Sequence, residues 1–327
     1  MSDQICCPLC GGGTGGTVHK AREMMLGTRE VFHYAECSGC GTLVLIDVPD
    51  DLGRHYPADY YSLRPGRSPR APVRWLKRAR GAAAARGRRR LATLLGGGSP
   101  PHWMEWLELS GLDRSASICD LGCGRGELLF DLAAAGFEGL VGVDPMIEQS
   151  IERDGVRIHK ADASEVSGSF ALVMFNHSLE HLADPVAQLR AGRKLLAPGG
   201  SVMIRTPIAG CWAWRHYGTD WVALDPPRHL FVATIDGLAA AGDAAGLEIY
   251  ATRYDSTELQ FWRSEQYRRG IALFEPGSHQ LDPAGSPFSR RQLRDWRRQA
   301  ERLNRAGDGD TAAVFLRATA EAAGAVG

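Results

Sequence analysis

Two groups of residues in this 327-residue chain have types and spacings that could do chemistry. The first is Ile118-Cys119-Asp120-Leu121-Gly122-Cys123-Gly124-Arg125-Gly126, which runs straight into the helical pattern Glu127–Leu132. Three glycines at every second position can take positive φ and let a ligand approach main-chain atoms. A strand that ends in such a turn and opens a helix is a nucleotide-type cofactor site. The spacing is G-x-G-x-G, not the G-x-G-x-x-G of dinucleotide sites. Asp120, shortly before the first glycine, would repel a diphosphate but suits a cationic amino-acid ligand. A tight strand–helix turn with no ligand is the plain alternative.

The second group is Cys7-Pro8-Leu9-Cys10-Gly11 and Cys37-Ser38-Gly39-Cys40-Gly41, two C-x-x-C-G knuckles with 26 residues between Cys10 and Cys37. In each knuckle the turn lets both thiolates face one metal, and the glycine keeps the backbone close to sulfur. Two knuckles complete a tetrahedral four-thiolate site for Zn2+, a structural site because no coordination position stays open. A redox C-x-x-C would stand alone at a helix start. Cys6 reads as a bystander, and Cys119, Cys123 and Cys211 as small packing residues.

The elements that must position these residues follow at regular spacing. Leu140–Asp144 is a short apolar strand ending in an acid, and Asp144 lies 18 residues after Gly126, where an acid holds ribose hydroxyls. Val156–Ala163 is a third strand, ending in Asp162. Phe170–Phe175 is a fourth, leading to Asn176 and His177, and Leu196–Gly200 ends a helix before the strand Ser201–Arg205. Alternating strands and helices predict a parallel, doubly wound sheet. Helix Thr234–Ala245 and strand Leu247–Tyr254 continue it, and Thr311–Arg317 should pair with the latter as an antiparallel edge. Asp255–Gly309 is then an insertion carrying an Arg-rich helix near Ser289–Arg305.

Residues 115–255 resemble the class I S-adenosylmethionine (SAM) methyltransferases, with 118–126 as their first motif. The resemblance implies a Rossmann-like α/β fold with a mostly parallel seven-stranded sheet, preceded here by a small zinc-ribbon-like module. It implies a SAM site built from Asp120, Gly122, Gly124, Gly126, Asp144, Asp162, Ala163 and Asn176, with Asp162 meeting the adenine amino group. For an oxygen acceptor a histidine near neutral pH is the natural general base. His229, His181 and His177 are the candidates, with His229 preferred as base or substrate contact and Arg228 beside it as an anion ligand. His181 stands in a Leu-Glu-His run that could equally brace a helix. His216 and Tyr217 rank below them.

The whole pattern also resembles a bacterial subgroup with the same cysteine module, a Tyr60-Tyr61-Ser62 element, an Asp225-Pro226-Pro227-Arg228-His229 segment and an ending like Leu303–Asp310. That subgroup implies O-methylation of a glycan or glycolipid precursor in surface polysaccharide biosynthesis. Sugar C-methyltransferases share the module but carry a further large domain absent from this sequence. The expected organisation is a zinc-binding module over 1–48, a basic connector over 49–100 and a methyltransferase domain over 101–327 with its insertion at about 255–309.

Composition sets the remaining bounds. Hydrophobic residues make up 44%, charged residues 23% and the net charge is zero, a balance with material for a core and no global field that selects nucleic acid. No signal peptide or 18-residue apolar run stands out, which predicts a cytoplasmic protein, peripheral at the inner membrane face if its basic segment docks there. That segment, 64–90, holds 11 Arg or Lys residues and no acid. It fits a solvated helix, an anionic membrane, a phosphate-bearing substrate or RNA. An RNA methyltransferase is one alternative function, although Asn176-His177-Ser178-Leu179 is not the Asn/Asp-Pro-Pro-Tyr/Phe motif of base amino methylation. A non-catalytic SAM-fold scaffold, with the zinc module as a docking surface, is the other.

Overall fold

The computed structural model describes residues 5–57, 71–95 and 103–320. The chain opens with three strands, β1 (Val18–Arg22), β2 (Val31–Glu36) and β3 (Leu43–Leu45). Two basic helices follow, α1 (Ala71–Ala85) and α2 (Arg89–Leu95), then α3 (Trp103–Ser110). The alternating region comprises β4 (Ile118–Leu121), α4 (Glu127–Ala135), β5 (Leu140–Val143), β6 (Ile151–Arg153), β7 (Val156–His159), β8 (Phe170–Asn176), α5 (Pro185–Lys194) and β9 (Leu196–Pro207). It continues through α6 (Trp212–Tyr217), β10 (Phe231–Val232), α7 (Ile235–Ala245), β11 (Leu247–Tyr254), α8 (Leu259–Arg268), α9 (Arg290–Arg305) and β12 (Thr311–Ala318).

The large sheet has the order β11-β12-β9-β8-β4-β5-β7-β6. The pairings β9–β8, β8–β4, β4–β5 and β5–β7 are parallel. β12 enters antiparallel between β11 and β9, with Tyr254 opposite Ala312 and Thr311 opposite Pro207. The strands extend the expected seven by one: three-residue β6 adds an antiparallel edge to β7. β4 and β5 are buried at every position, so they read as continuous apolar runs, whereas β7 alternates near the edge.

Successive residues point to opposite faces of a strand, and the core divides accordingly. Cys119, Leu121, Val141, Val143, Val173 and Phe175 pack under Leu189 of α5 and Leu238 and Ala241 of α7. Ile118, Leu140, Leu172 and Met174 pack under Leu129 and Leu132 of α4 and Trp103 and Trp106 of α3. Helix starts are set locally. Asp184 caps α5 through Ala187 N–H, Thr234 caps α7 through Gly237 N–H, and Ser289 with Gln292 forms a capping box on α9. Gly142 is required where α4 crosses β5, because a Cβ there would lie 2.5 Å from Cys123 Sγ and 2.8 Å from Leu129 Cδ1.

The cysteine module does not stand apart from this fold. β10, from the alternating region, pairs antiparallel with β3 and completes the small sheet β1-β2-β3-β10. Cys7, Leu9, Cys37 and Val44 share one core with the large sheet. β2 begins only at Val31, because residues 23–28 wrap around the Glu23 carboxylate, which accepts from the Met25, Leu26 and Thr28 N–H groups. Tyr60, Tyr61, Arg64, Arg67 and Arg70 lie outside the described residues. No helix among the described residues is long and apolar enough to cross a membrane.

Candidate active site

The residues expected to hold a cofactor converge on the C-terminal edge of β4, β5, β7 and β8, where open α/β sheets bind ligands. Gly122, Gly124 and Gly126 all have positive φ, at 78°, 54° and 77°. A Cβ on Gly122 would sit 2.5 Å from Ser178 Cβ, and one on Gly126 would collide with Ile158 Cδ1, so both positions exclude a side chain. Gly126 is the N-cap of α4. Asp144 follows β5, and its Oδ2 accepts from Gly124 N–H at 2.8 Å while its Oδ1 accepts from Met146 N–H at 2.8 Å. The acid therefore holds the glycine turn as well as facing the edge. Asp162 and Ala163 lie just beyond β7. Asp162 is exposed, with its N–H bonded to Glu165 Oε2 at 2.7 Å.

Two buried oxygens at this edge have no hydrogen-bond partner, Asp120 Oδ1 and Asn176 Oδ1. They belong to the adjacent strands β4 and β8. Burial, and then the nearby Asp144 charge, pushes the Asp120 carboxyl up to about 7, against a smaller opposing effect of the Asn176 backbone. A buried oxygen pair of this kind costs free energy until a donor or cation meets it. The ammonium, ribose and adenine groups of SAM suit such a set of acids and glycines, so the residues present fit that cofactor.

The candidate histidines gather beyond the end of β8. His177 has φ +54° and its N–H donates to Arg205 O at 2.8 Å. Its Nδ1 is 3.5 Å from Glu180 Oε1, and its Nε2 contacts the Arg205 guanidinium, which Asp255 holds at 2.7 Å. Glu180 is fully buried, and neither carboxylate oxygen has a closer partner than the surrounding rings. Burial raises its pKa, but His177, His229 and His181 outweigh it and hold the carboxyl at about 2. His229 Nδ1 lies 2.9 Å from Ala223 O. A carbonyl only accepts, so Nδ1 donates to it, and Nε2 faces Glu180 Oε1 at 4.0 Å. His181 Nδ1 donates to Arg228 O at 2.8 Å and also meets Tyr56 Oη at 3.0 Å. Burial and the neighbouring His229 lower the His181 pKa below its usual value, so its imidazole is neutral at neutral pH. The rings of His181 and His229 are 4.8 Å apart. The cluster thus sets imidazoles, the neutral His181 among them, beside a buried carboxylate, an arrangement able to take a proton from an acceptor.

Arg228 corrects its expected role. It is fully buried, and Nη2 pairs with Glu23 Oε1 at 2.8 Å and Asp225 Oδ1 at 2.6 Å, so it has no open side to offer an anion. Glu180, Tyr56 and Glu23 carried no assignment from sequence. Glu180 had a usable signal, its spacing of three from His177 and one from His181. Tyr56 and Glu23 had none. His216 is exposed and stacks on Trp212 at 4.5 Å, apart from the histidine cluster.

At the other end of the small sheet, Cys7, Cys10, Cys37 and Cys40 bring their sulfurs within 4.8 Å of one another. Cys7–Cys40 is 3.8 Å and Cys10–Cys37 is 3.4 Å. Tetrahedral Zn–S bonds of about 2.3 Å require sulfurs about 3.8 Å apart, whereas a disulfide needs about 2.05 Å. The knuckles share one turn: Gly11 N–H donates to Cys7 O and Gly41 N–H to Cys37 O, both at 2.9 Å and both with positive φ. Burial raises the Cys37 pKa, but the backbone N–H groups of Cys40 and Gly39 outweigh it and bring the thiol down to about 7. The donor set fits zinc. Cys6 is exposed and outside the group.

On α1 and α2 the apolar side chains Trp75, Leu76, Leu91 and Leu94 are exposed, Leu94 by 79%. Lys77 reaches Asp131 of α4 at 3.3 Å.

The methyltransferase domain family matches residues 86–252, just over half of the 327 residues, and the chain belongs to that family. The ubiquinone biosynthesis O-methyltransferase of Xanthomonas oryzae pv. oryzae is 34% identical over 138 residues, which cover 37% of this chain and 55% of the relative. The one from Bordetella avium is 31% identical over 170 residues, covering 45% and 69%. The chain thus spans about half to two thirds of the length of these curated relatives. A Burkholderia thailandensis 1,6-didemethyltoxoflavin-N1-methyltransferase, solved with S-adenosylhomocysteine, is similar at 15% identity and a TM-score of 0.40, covering 88% of this chain and 96% of that one.

Proposed function

We propose that this member of the methyltransferase domain family transfers the methyl group of SAM to a hydroxyl of a small molecule or glycan-type acceptor. The observation that carries the reading is the pair of orphaned buried oxygens, Asp120 Oδ1 and Asn176 Oδ1, set beside a glycine turn that excludes side chains. SAM supplies an electrophilic methyl group; the protein has to bind it, exclude water and aim the acceptor. Asp120 would meet the ammonium, Asp144 the ribose and Asp162 with Ala163 the adenine. Glu180 and the histidines would face the acceptor, with His229 Nε2 taking the hydroxyl proton and the buried Glu180 anion stabilising the imidazolium that forms.

O-methylation is favoured over N- or C-methylation by this base cluster, and it agrees with the O-methyltransferase names of the relatives. A glycan or glycolipid precursor of a surface polysaccharide is the preferred acceptor, from the subgroup resemblance. An acceptor from ubiquinone biosynthesis, which the relatives' names print, is the comparison class. The four cysteines would hold one structural Zn2+. Trp75, Leu91 and Leu94, exposed among cations, would touch an anionic membrane surface, and that contact would weaken with salt.

Calorimetric titration with SAM and with S-adenosylhomocysteine, run beside Asp144→Ala, tests the reading. Micromolar binding that the variant loses is expected, followed by methyl transfer in a screen of glycan acceptors and ubiquinone-biosynthesis intermediates. A folded protein that binds neither compound would refute it.

A further inference from the structure

We infer that the four-cysteine module is the positioning element of the acceptor-side histidines, so that metal loading of the module controls the acceptor half of the site and leaves the cofactor half intact. The inference rests on the reading of His229 and His181 given above.

The contacts are specific and run to one segment. β3 pairs with β10, two residues after His229, and Leu45 N–H donates to Leu230 O at 2.9 Å. Leu230 N–H in turn donates to Glu180 O at 2.9 Å, which ties the loop bearing His229 to the one bearing Glu180 and His181. The buried Tyr34 hydroxyl of β2 donates to His229 O at 2.6 Å. Glu23, fully buried and held by its own loop, is the anchor for Arg228, the residue before His229. Tyr56 Oη lies 3.0 Å from His181 Nδ1 and 3.3 Å from Arg228 O. The metal end joins the same segment, because Cys40 O accepts from Thr234 Oγ1 at 2.6 Å, and Thr234 caps α7.

By contrast, 5–57 meets the cofactor strands β4 and β5 through the shared apolar core, and among the described residues no hydrogen bond runs from it to 118–146. A segment as short as 5–57 buries too little surface to hold its shape alone, so metal binding supplies part of its folding free energy. Loss of the metal would loosen β2, β3 and the Glu23 loop together. The His229 turn would then lose the Tyr34 bond and the Arg228 anchor at once. Tyr34, Glu23 and Tyr56 are thus positioning residues acting through His229, Arg228 and His181.

The test uses the full chain, metal-loaded and then stripped by a chelator, with hydrogen–deuterium exchange read by mass spectrometry and SAM affinity by calorimetry. Stripping should speed exchange in 177–182 and 223–234 by about tenfold or more, while 118–146 is unchanged and SAM affinity stays within about twofold. A rise confined to 5–45, or one spread equally through 118–146, would overturn the inference. Tyr34→Phe in the metal-loaded protein removes one hydroxyl and avoids gross unfolding. It should shift the His229 imidazole nitrogen resonances and lower kcat while KM for SAM is unchanged, and unmoved His229 resonances would also overturn it. If His229→Ala left methyl transfer intact while stripping gave the expected exchange pattern, the functional reading would fail and the coupling would stand.

Discussion

Asp120 should make cofactor binding depend on pH in a way that one substitution removes. The carboxyl is 2% exposed, its Oδ1 has no partner, and burial together with Asp144 raises its pKa from 3.8 to about 7. An ammonium placed against it pairs with the ionised form. With that pKa the ionised fraction is about one tenth at pH 6 and about seven tenths at pH 7.4, so affinity should rise about eightfold, or about 1.2 kcal/mol. Above pH 7.5 the ligand's own amine, near the usual α-amino pKa of about 7.7–8.0, begins to lose its proton, and affinity should fall again. Calorimetry at pH 7 in buffers of different ionisation heat should detect release of about half a proton per SAM bound.

Asp120→Asn should bind more weakly, lose the rise between pH 6 and 7.4, and release no proton. Stability gives an independent check on the sign. A carboxyl whose pKa is raised by folding lets the native state hold more protons than the unfolded chain, so the empty protein loses stability as pH climbs from about 4 to about 7. The loss has a ceiling of about 4 kcal/mol from a shift of about three units. Asp120→Asn removes that penalty and should melt higher than wild type at pH 8. A wild-type affinity flat from pH 6 to 7.4, or a pH dependence that survives in Asp120→Asn, would refute the reasoning.

Gly126→Ala should weaken SAM binding by at least about tenfold, because the residue holds φ +77° and its Cβ would strike Ile158; calorimetry on the folded variant checks it, and unchanged affinity would remove the glycine from the cradle. His229→Ala should lower kcat by about 10²–10⁴-fold with SAM affinity retained. Because burial lowers the His181 pKa, its ring should protonate only below the usual histidine value of 6.5; an NMR titration that placed it above 6.5 would count against this cluster. Elemental analysis should find one zinc per chain, and Cys37→Ser should lose it along with part of the thermal stability; full zinc content in that variant would disprove the four-thiolate site.

Sequence determined whatever is encoded within a few residues of itself. The knuckles at Cys7 and Cys37, the glycine turn at 122–126, the acids at strand ends and the cap at Ser289 are local patterns, and each of them fixes a backbone conformation over one turn. The strand pair Leu247–Tyr254 and Thr311–Arg317 was also legible, since two apolar runs with complementary edges have few other places in a doubly wound sheet. What only the tertiary structure decided involves partners far apart in the chain. Arg228 reads in sequence as an exposed anion ligand beside a histidine, and it becomes a buried counter-ion because Glu23, 205 residues earlier, arrives beside it. Tyr34 reaches His229 O across 195 residues, and Tyr56 reaches His181 across 125. A sequence read alone gives the module a boundary near residue 48, yet β10 closes its sheet from residue 231. Hydrogen-bond chemistry and charge are written in the residue types, but which of them meet depends on how the chain returns on itself, and no local pattern carries that information.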